Sequence, residues 1–293
     1  MKYFQSLHGV EPEQLTELAI HAEHLGFEGV TFGDHLVKPA AYANDYLYSE
    51  DGRPPWDPAD LDEWTPPYPD AWVASAALGQ VTSRLRFLPY VYVLPMRHPV
   101  HVAKQLATAD VFAPGRIILG LGSGWLKEEF DLVDVSFDTR GVRTDEMLAI
   151  IRLLHTGRNV EFKGEVFTLP PSRMRPVPAE PVPVMIGGDS DVALRRAARH
   201  DGWLGVDYEP EQLPPLIDKL NRYRRELGRE SMPFEIFAVA KAGVSLDGIR
   251  RLEELGVTMT QDYAWFYKGE PYSTVQHKKD SMSRFADQFM TDR

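Results

Sequence analysis

Residues 115–125, GRIILGLGSGW, combine a short apolar run with glycines at positions 120, 122 and 124. The apolar run 117–121 predicts a short strand that is buried on both faces. It ends at Gly122, Ser123 and Gly124, where two glycines let a flat or anionic group approach the backbone closely. Trp125 follows at once, and parallel α/β folds bind their ligands at such strand ends. A tight strand-to-helix turn explains the same residues, so the surrounding sequence has to separate the two interpretations.

Strand-like and helix-like segments alternate along the whole chain. About eight runs have the pattern of strands, nearly all followed by a helical pattern. This alternation favours a closed (β/α)₈ TIM barrel over an open doubly wound sheet, in a single domain of residues 1–293. The predicted strands are 2–5, 27–35, 85–94, 117–121, 182–186, 202–206, 234–240 and 257–265, and the predicted helices are 11–25, 99–114, 139–154, 191–200, 214–227, 246–255 and 274–290.

Two insertions interrupt the alternation. Residues 38–70 are rich in proline and aromatic residues and follow a strand, which predicts a loop over the C-terminal, active-site face of the barrel. In that position Trp56 and Trp64 would line a substrate, although a structural flap or a subunit contact is the alternative. Residues 156–183 contain VEFKGEVFTL, whose alternation around Lys163 and Gly164 predicts a small hairpin that helps to cover the same face.

Composition excludes several classes of protein. The formal net charge of -11 disfavours nucleic acids and anionic membranes as partners, and the absence of cysteine excludes disulfides and thiolate metal sites. The first residues lack a signal-peptide core, and no apolar run is long enough for a membrane span. We therefore expect a soluble cytoplasmic protein. No metal site is predicted, since HxH at a strand end and HExxH are absent, and no GxSxG motif suggests a serine nucleophile.

Polar residues collect at the predicted strand ends. Asp34 and His35 follow the second strand, and His35 could hydrogen-bond a ligand or transfer a proton near neutral pH. Gly187, Gly188, Asp189 and Ser190 lie between a strand and a helix, where free N–H groups bind phosphate. Ordinary capping by Asp189 or Ser190 is the alternative. Glu128 and Glu129 follow Trp125 closely enough to reach the same mouth, although acids are also common in a first helical turn.

Longer motifs resemble a known family. The runs LPMRHPVHVAKQLATADVFAPGRIILGLGSGWLKEEF and FDTRGVRTDEMLAIIRLL resemble the luciferase-like monooxygenase superfamily, in particular its coenzyme F420-dependent oxidoreductases. EGVTFGDHLVKP and VPVMIGGDSDVALRRAARHDGW match the same family in the same order. The resemblance implies a (β/α)₈ barrel with a flavin-type ring in its mouth, a phosphate near the fifth strand, and a non-proline cis peptide at Tyr90-Val91. The cofactor-binding residues that it implies are Asp34, His35, Tyr90, Val91, Gly122, Ser123, Gly124, Trp125, Gly187, Gly188, Asp189 and Ser190.

The sequence departs from this pattern at two positions. Some deazaflavin dehydrogenases have a glutamate directly after the fourth-strand glycines, where this chain has Trp125, so the mouth is expected to offer a surface there rather than a proton. Pro89 and Tyr90 stand where small residues are usual, which predicts a tighter or differently shaped ring pocket.

The resemblance also implies a reaction. We expect hydride transfer between F420 and a small organic substrate, with His35 as the catalytic residue and Trp56, Trp64 and Trp125 lining the substrate. An FMN-dependent monooxygenase that uses oxygen is the first alternative, and a non-enzymatic ligand-binding barrel is the second. Dimers are common in the resembled family, so a homodimer is expected.

Overall fold

The computed structural model describes residues 1–42, 44–46, 49, 52–54, 66–240, 245–263, 265 and 273–290. Nine parallel strand segments and a separate hairpin run through this part of the chain. The strands are β1 (Lys2–Ser6), β2 (Gly29–Phe32), β3 (Arg86–Pro89), β4 (Tyr92–Val93), β5 (Leu119–Gly122), β6 (Val160–Lys163), β7 (Thr168–Ser172), β8 (Val184–Gly187), β9 (Gly202–Tyr208), β10 (Glu235–Ala240) and β11 (Met259–Asp262).

The sheet closes on itself at the third strand. Its order is β3-β2-β1-β11-β10-β9-β8-β5-β4, so the consecutive segments β3 and β4 lie at its two ends. Phe87 of β3 also bridges to the strand region before β5, where its N–H donates to the Arg116 carbonyl at 2.9 Å and its carbonyl accepts from Ile118 at 3.0 Å. With β3 and β4 counted as one strand, the sheet is an eight-stranded parallel barrel. The predicted fold class is confirmed.

The third strand differs from its prediction. Instead of one continuous strand over 85–94, the chain forms two segments separated at the Tyr90-Val91 peptide, which is cis. The cis bond implied by the family resemblance is therefore confirmed. The last strand is also shorter than predicted, because its ladder ends at Asp262.

Helices fill the connections between the strands. Within the described residues they are α1 (Leu15–Leu25), α2 (Ala71–Gly79), α3 (Pro99–Phe112), α4 (Lys127–Leu132), α5 (Arg140–His155), α6 (Asp191–Ala197), α7 (Leu213–Glu226), α8 (Leu246–Glu254) and α9 (Val275–Phe289). The sequence pattern did not predict α2, since AWVASAALG is apolar on every side and has no helical periodicity. Its N-terminus carries a recognisable signal, because the Asp70 carboxylate caps it by accepting from the N–H groups of Trp72 and Val73 at 3.0 Å.

The stretch around β5 alternates between the two layers of the core. Ile117, Leu119 and Leu121 pack against the helices, whereas Ile118 faces the barrel interior with Phe4, Leu88 and Met185. Gly120 also faces inward, where a Cβ would lie 2.2 Å from the Pro89 carbonyl oxygen. A glycine is required here because neighbouring backbone occupies the space.

The predicted hairpin forms from β6 and β7, which pair antiparallel. Its turn is held by Glu146 of α5, whose carboxylate accepts from the backbone N–H groups of Glu165, Val166 and Phe167 at 2.5, 3.1 and 2.8 Å. The ring of Phe167 packs edge-on to His98 at the start of α3. These contacts fix the hairpin to α5; its proposed covering of the strand ends stays a prediction.

Glu146→Ala should destabilise the protein because three N–H groups of the hairpin turn lose a charged acceptor. We expect the free energy of unfolding to fall by about 2–3 kcal/mol, measured by urea denaturation. Glu165→Ala is the matched control, since this exposed side chain lies in the same turn and its loss should cost less than about 0.5 kcal/mol. Equal effects of the two substitutions would contradict this role of Glu146.

Candidate active site

A small cavity lies where the loops after β2 and β5 meet. Its volume is about 180 Å³. It is bounded by the imidazole of His35, the ring of Trp125 and side chains of the insertion 38–70. The lining residues are His35, Leu36, Val37, Lys38, Pro39, Tyr42, Pro54, Pro66, Tyr68, Trp125 and Leu126. The predicted insertion therefore contributes to a cavity beside His35 and Trp125.

His35 is held in this cavity by a carboxylate. Its Nδ1 lies 2.8 Å from Oε2 of Glu129, whose side chain is only 1% exposed. The other oxygen, Oε1, accepts from the backbone N–H groups of Leu36 and Val37 at 2.5 and 3.3 Å. Glu129 reaches these partners because α4 begins directly after the mouth of β5 and turns its buried side inward. The mouth thus contains an acid in contact with the histidine, although Trp125 itself provides none.

Aromatic rings surround the imidazole and Trp125. The ring of Tyr68 packs edge-on to His35 at 4.9 Å between centroids, and Trp125 is 6.5 Å away. Trp125 also contacts the rings of Tyr42 and Tyr46, at 5.7 and 5.1 Å. Of the predicted substrate-lining residues, Trp125 lines the cavity, whereas Trp56 and Trp64 lie outside the described residues.

Asp34 is occupied by protein groups. Its carboxylate binds the guanidinium of Arg97 through both oxygens, at 2.6 Å each, and also accepts from the N–H of Val93 at 2.6 Å. Arg97 in turn lies over the ring of Tyr92, with 4.3 Å between its Cζ and the ring centroid. Asp34 therefore joins the end of β2 to β4, and its expected role in binding a cofactor stays a prediction.

Val91 forms part of the wall of the barrel mouth. A Cβ on Gly122 would lie 2.6 Å from its Cγ2, and a Cβ on Gly187 would lie 3.0 Å from its Cγ1. Both glycines thus leave space that Val91 fills. Tyr90 lies in the interior beside Val91, where its hydroxyl donates to the Gly205 carbonyl and its ring is 4.9 Å from that of Phe237.

Gly124, the second glycine at the mouth of β5, has a positive φ, a backbone conformation that side chains disfavour. Gly124 has φ +81, and a Cβ there would lie 2.6 Å from Cγ1 of Val93. Ser123, between the two glycines, is half-buried. The GSG sequence therefore lets β5 approach β4 closely at the level of Val91 and Val93.

The loop after β8 offers open backbone donors. Gly188 has φ +109, and its carbonyl accepts from the indole of Trp203 at 3.0 Å. Ser190 caps α6 by accepting from the N–H of Ala193, as the capping alternative predicted. The N–H groups of Gly188 and Asp189 donate to no acceptor in the described part of the chain. Burial raises the pKa of Asp189, and the Tyr208 hydroxyl donates to its carboxylate at 2.5 Å.

Several residues of the site carry no signal in the sequence. Arg97 and Tyr68 come from distant parts of the chain, so only the fold shows that they meet Asp34 and His35. His8 follows β1, and its ring packs 5.0 Å from that of Tyr68. Burial, with the charge of His35 as the second cause, lowers the pKa of His8 to about 3, so this histidine is neutral at physiological pH.

No group of three or more histidines and carboxylates in the described part of the chain is arranged to hold a metal ion. No helix there has the length and apolar character that crossing a bilayer requires.

Residues 4–284 match the family described as luciferase-like monooxygenase. The chain belongs to this family. An uncharacterized protein of Mycobacterium tuberculosis is 40% identical over 241 residues, which are 82% of this chain and 81% of that protein. The F420-dependent glucose-6-phosphate dehydrogenase of Amycolatopsis mediterranei is 30% identical over 219 residues, 70% of this chain and 58% of that protein. A solved F420-dependent secondary alcohol dehydrogenase, in complex with an F420-acetone adduct, has the same fold, with a TM-score of 0.71 over 100% of both chains at 20% identity.

The fit between Val91 and Gly122 is testable in this luciferase-like chain by a double-mutant cycle. Gly122→Ala should lower the free energy of unfolding by about 1–3 kcal/mol, because the new methyl group overpacks against Val91. In a Val91→Ala background most of this loss should disappear, since both γ carbons are gone. Urea denaturation measures all four proteins, and Gly141→Ala in α5, with its nearest heavy atom 3.8 Å away, is the control. A loss that is the same in both backgrounds would refute the proposed contact.

Proposed function

We propose that this protein is an F420-dependent oxidoreductase that transfers a hydride between the cofactor and a small organic substrate. The observation that carries the proposal is the wall formed by Val91 and its two glycines at the strand ends, together with His35 in the cavity after the neighbouring strand. A narrow apolar wall suits the flat face of a deazaflavin, and an imidazole suits the proton that accompanies hydride transfer.

The described residues fit such a cofactor in two respects. A side chain at Gly122 or Gly187 would displace Val91, so the two glycines preserve the apolar surface against which a ring would pack. The open N–H groups of Gly188 and Asp189 suit a phosphate, and the Tyr208 hydroxyl already satisfies one oxygen of Asp189. We assign the ring to Val91, Gly122, Ser123 and Gly124, and the phosphate to residues 187–190. Asp34 and Tyr90 would support these residues.

When bound, the deazaflavin supplies a ring carbon that accepts or donates a hydride. The chain itself has to hold the substrate, exclude water and move a proton. Trp125, Tyr42 and Tyr68 line the cavity with apolar surface, and His35 offers a ring nitrogen to a substrate oxygen. The relatives with F420 in their names support this cofactor.

A titration separates this proposal from its rivals. Purified protein should bind F420 saturably, as read by quenching of its tryptophan fluorescence, and should not bind FMN over the same concentrations. Binding of FMN without F420 would overturn the proposal in favour of the monooxygenase that the family description names. Binding of neither would favour a non-enzymatic barrel. The Gly122→Ala protein is the matched comparison, since a displaced Val91 should weaken F420 binding.

We also propose that two copies of the chain associate through α2 and α3. Val73 of α2 is 68% exposed and Val111 of α3 is 53% exposed, with Val81 and Phe112 exposed nearby. The Gln80 amide donates to the Phe112 carbonyl at 2.8 Å, which joins the ends of the two helices. An apolar surface of this kind is typical of a subunit contact.

Val111→Glu should convert a dimer into a monomer, because a charge would be buried in the contact. Size-exclusion chromatography with light scattering should give twice the chain mass for the unmodified protein and the chain mass for the variant. Val192→Glu is the matched control, since Val192 on α6 is also 65% exposed and should leave the mass unchanged. A monomeric unmodified protein would contradict the proposal.

A further inference from the structure

The carboxylate of Glu129 has a fixed orientation. Its Oε1 accepts from the backbone N–H groups of Leu36 and Val37, and its Oε2 lies 2.8 Å from Nδ1 of His35. The side chain is almost fully buried, so water does not compete for these positions. Backbone N–H groups are donors only, so the atom at the Oε1 position has to be an acceptor.

This orientation determines which nitrogen of a neutral His35 carries the hydrogen. An ionised carboxylate only accepts hydrogen bonds, so Nδ1 has to be the N–H that faces Glu129. We infer that Glu129 is a positioning residue that holds His35 in the Nδ1–H tautomer and leaves Nε2 as the atom that exchanges a proton with the substrate. The role of Glu129 in turnover rests on the proposed hydride transfer, whereas the tautomer of His35 is independent of that proposal.

The proton balance of the reaction explains why the tautomer matters. When an alcohol is oxidised, its carbon gives a hydride to the cofactor of the proposed reaction, and its oxygen has to release a proton as the carbonyl forms. A lone pair on Nε2 accepts that proton, and the resulting imidazolium keeps its Nδ1–H directed at the carboxylate of Glu129. In the reverse direction Nε2 returns the proton to the substrate oxygen. With the hydrogen on Nε2 instead, the lone pair of the neutral ring would lie on Nδ1, which faces Glu129, and Nε2 could not accept the substrate proton.

The other neighbours of His35 do not fix its tautomer. Tyr68 and Trp125 contact the imidazole with their rings, at centroid distances of 4.9 and 6.5 Å. His8 is neutral at physiological pH, because burial lowers its pKa to about 3. Glu129 is thus the carboxylate that contacts the ring in the described structure.

Glu129→Gln provides a sharp test because an amide has one acceptor and one donor. Leu36 and Val37 require the acceptor, so the glutamine oxygen should take the Oε1 position and its NH₂ should face His35. Nδ1 then has to accept, and the ring should change to the Nε2–H tautomer. Glu128→Gln alters the neighbouring carboxylate and is the matched control.

The tautomer is read from the full-length protein without cofactor, by nitrogen-15 NMR of labelled histidine in basic buffer, with His35→Ala assigning the signal. We expect Nδ1–H in the unmodified protein and in Glu128→Gln, and Nε2–H in Glu129→Gln. An Nε2–H ring in the unmodified protein, or an unchanged tautomer in Glu129→Gln, would overturn the inference. The tautomer of His35 in the unmodified protein tests the inference even if the Glu129→Gln variant does not fold.

Acylation by diethyl pyrocarbonate gives a second readout, because an unprotonated ring nitrogen attacks a carbonyl carbon of the reagent. Peptide mass spectrometry should show His35 modified in the unmodified protein and at least about tenfold more slowly in Glu129→Gln. Equal rates would contradict a free lone pair on Nε2. Neither measurement requires F420, so a failure of the proposed function and a failure of this inference are distinguishable.

Discussion

The rest of the site depends on the packing of one side chain, Val91, against two glycines. A Cβ on Gly122 or Gly187 would lie within 2.6 or 3.0 Å of a Val91 methyl group. The segments on either side of this residue, β3 and β4, are also the two ends of the sheet that close the barrel. The closure of the barrel and the wall of its mouth therefore come from the same few residues, which explains why strands β5 and β8 end in glycine.

Two carboxylates then fix the chain that leaves β2. Asp34 is tied to Arg97 and to the backbone of β4, while Glu129 of α4 holds His35 and the two residues after it. The ion pair of Asp34 with Arg97 keeps β2 in register with the strand that contains Val91. The contact of Glu129 with His35 directs the imidazole into the cavity beside Trp125. Adjacent residues of one strand end thus have separate roles: Asp34 joins β2 to β4, and His35 lines the cavity.

The barrel fold could be predicted from the sequence because buried strands and amphipathic helices have local periodicity. The resemblance to family motifs also located the cis peptide at Tyr90-Val91. The break of the third strand and helix α2 were not predicted from periodicity, since neither disturbs the apolar pattern. In the site, His35 and Trp125 were predicted and line one cavity. The roles of Glu129 and Arg97 depend on contacts between residues that lie 94 and 63 positions from their partners, which local patterns do not encode. Asp34 has the polarity of a ligand-binding residue, but both of its oxygens bind protein groups.

In the proposed function, Val91 and His35 face one bound deazaflavin and its substrate, and a crystal of the protein soaked with F420 would show this arrangement. We expect the ring to pack against Val91, its phosphate to lie at the N–H groups of Gly188 and Asp189, and space for a substrate to remain between the ring and Nε2 of His35. A ring bound away from Val91, or with His35 unable to reach the space above it, would contradict the proposed function.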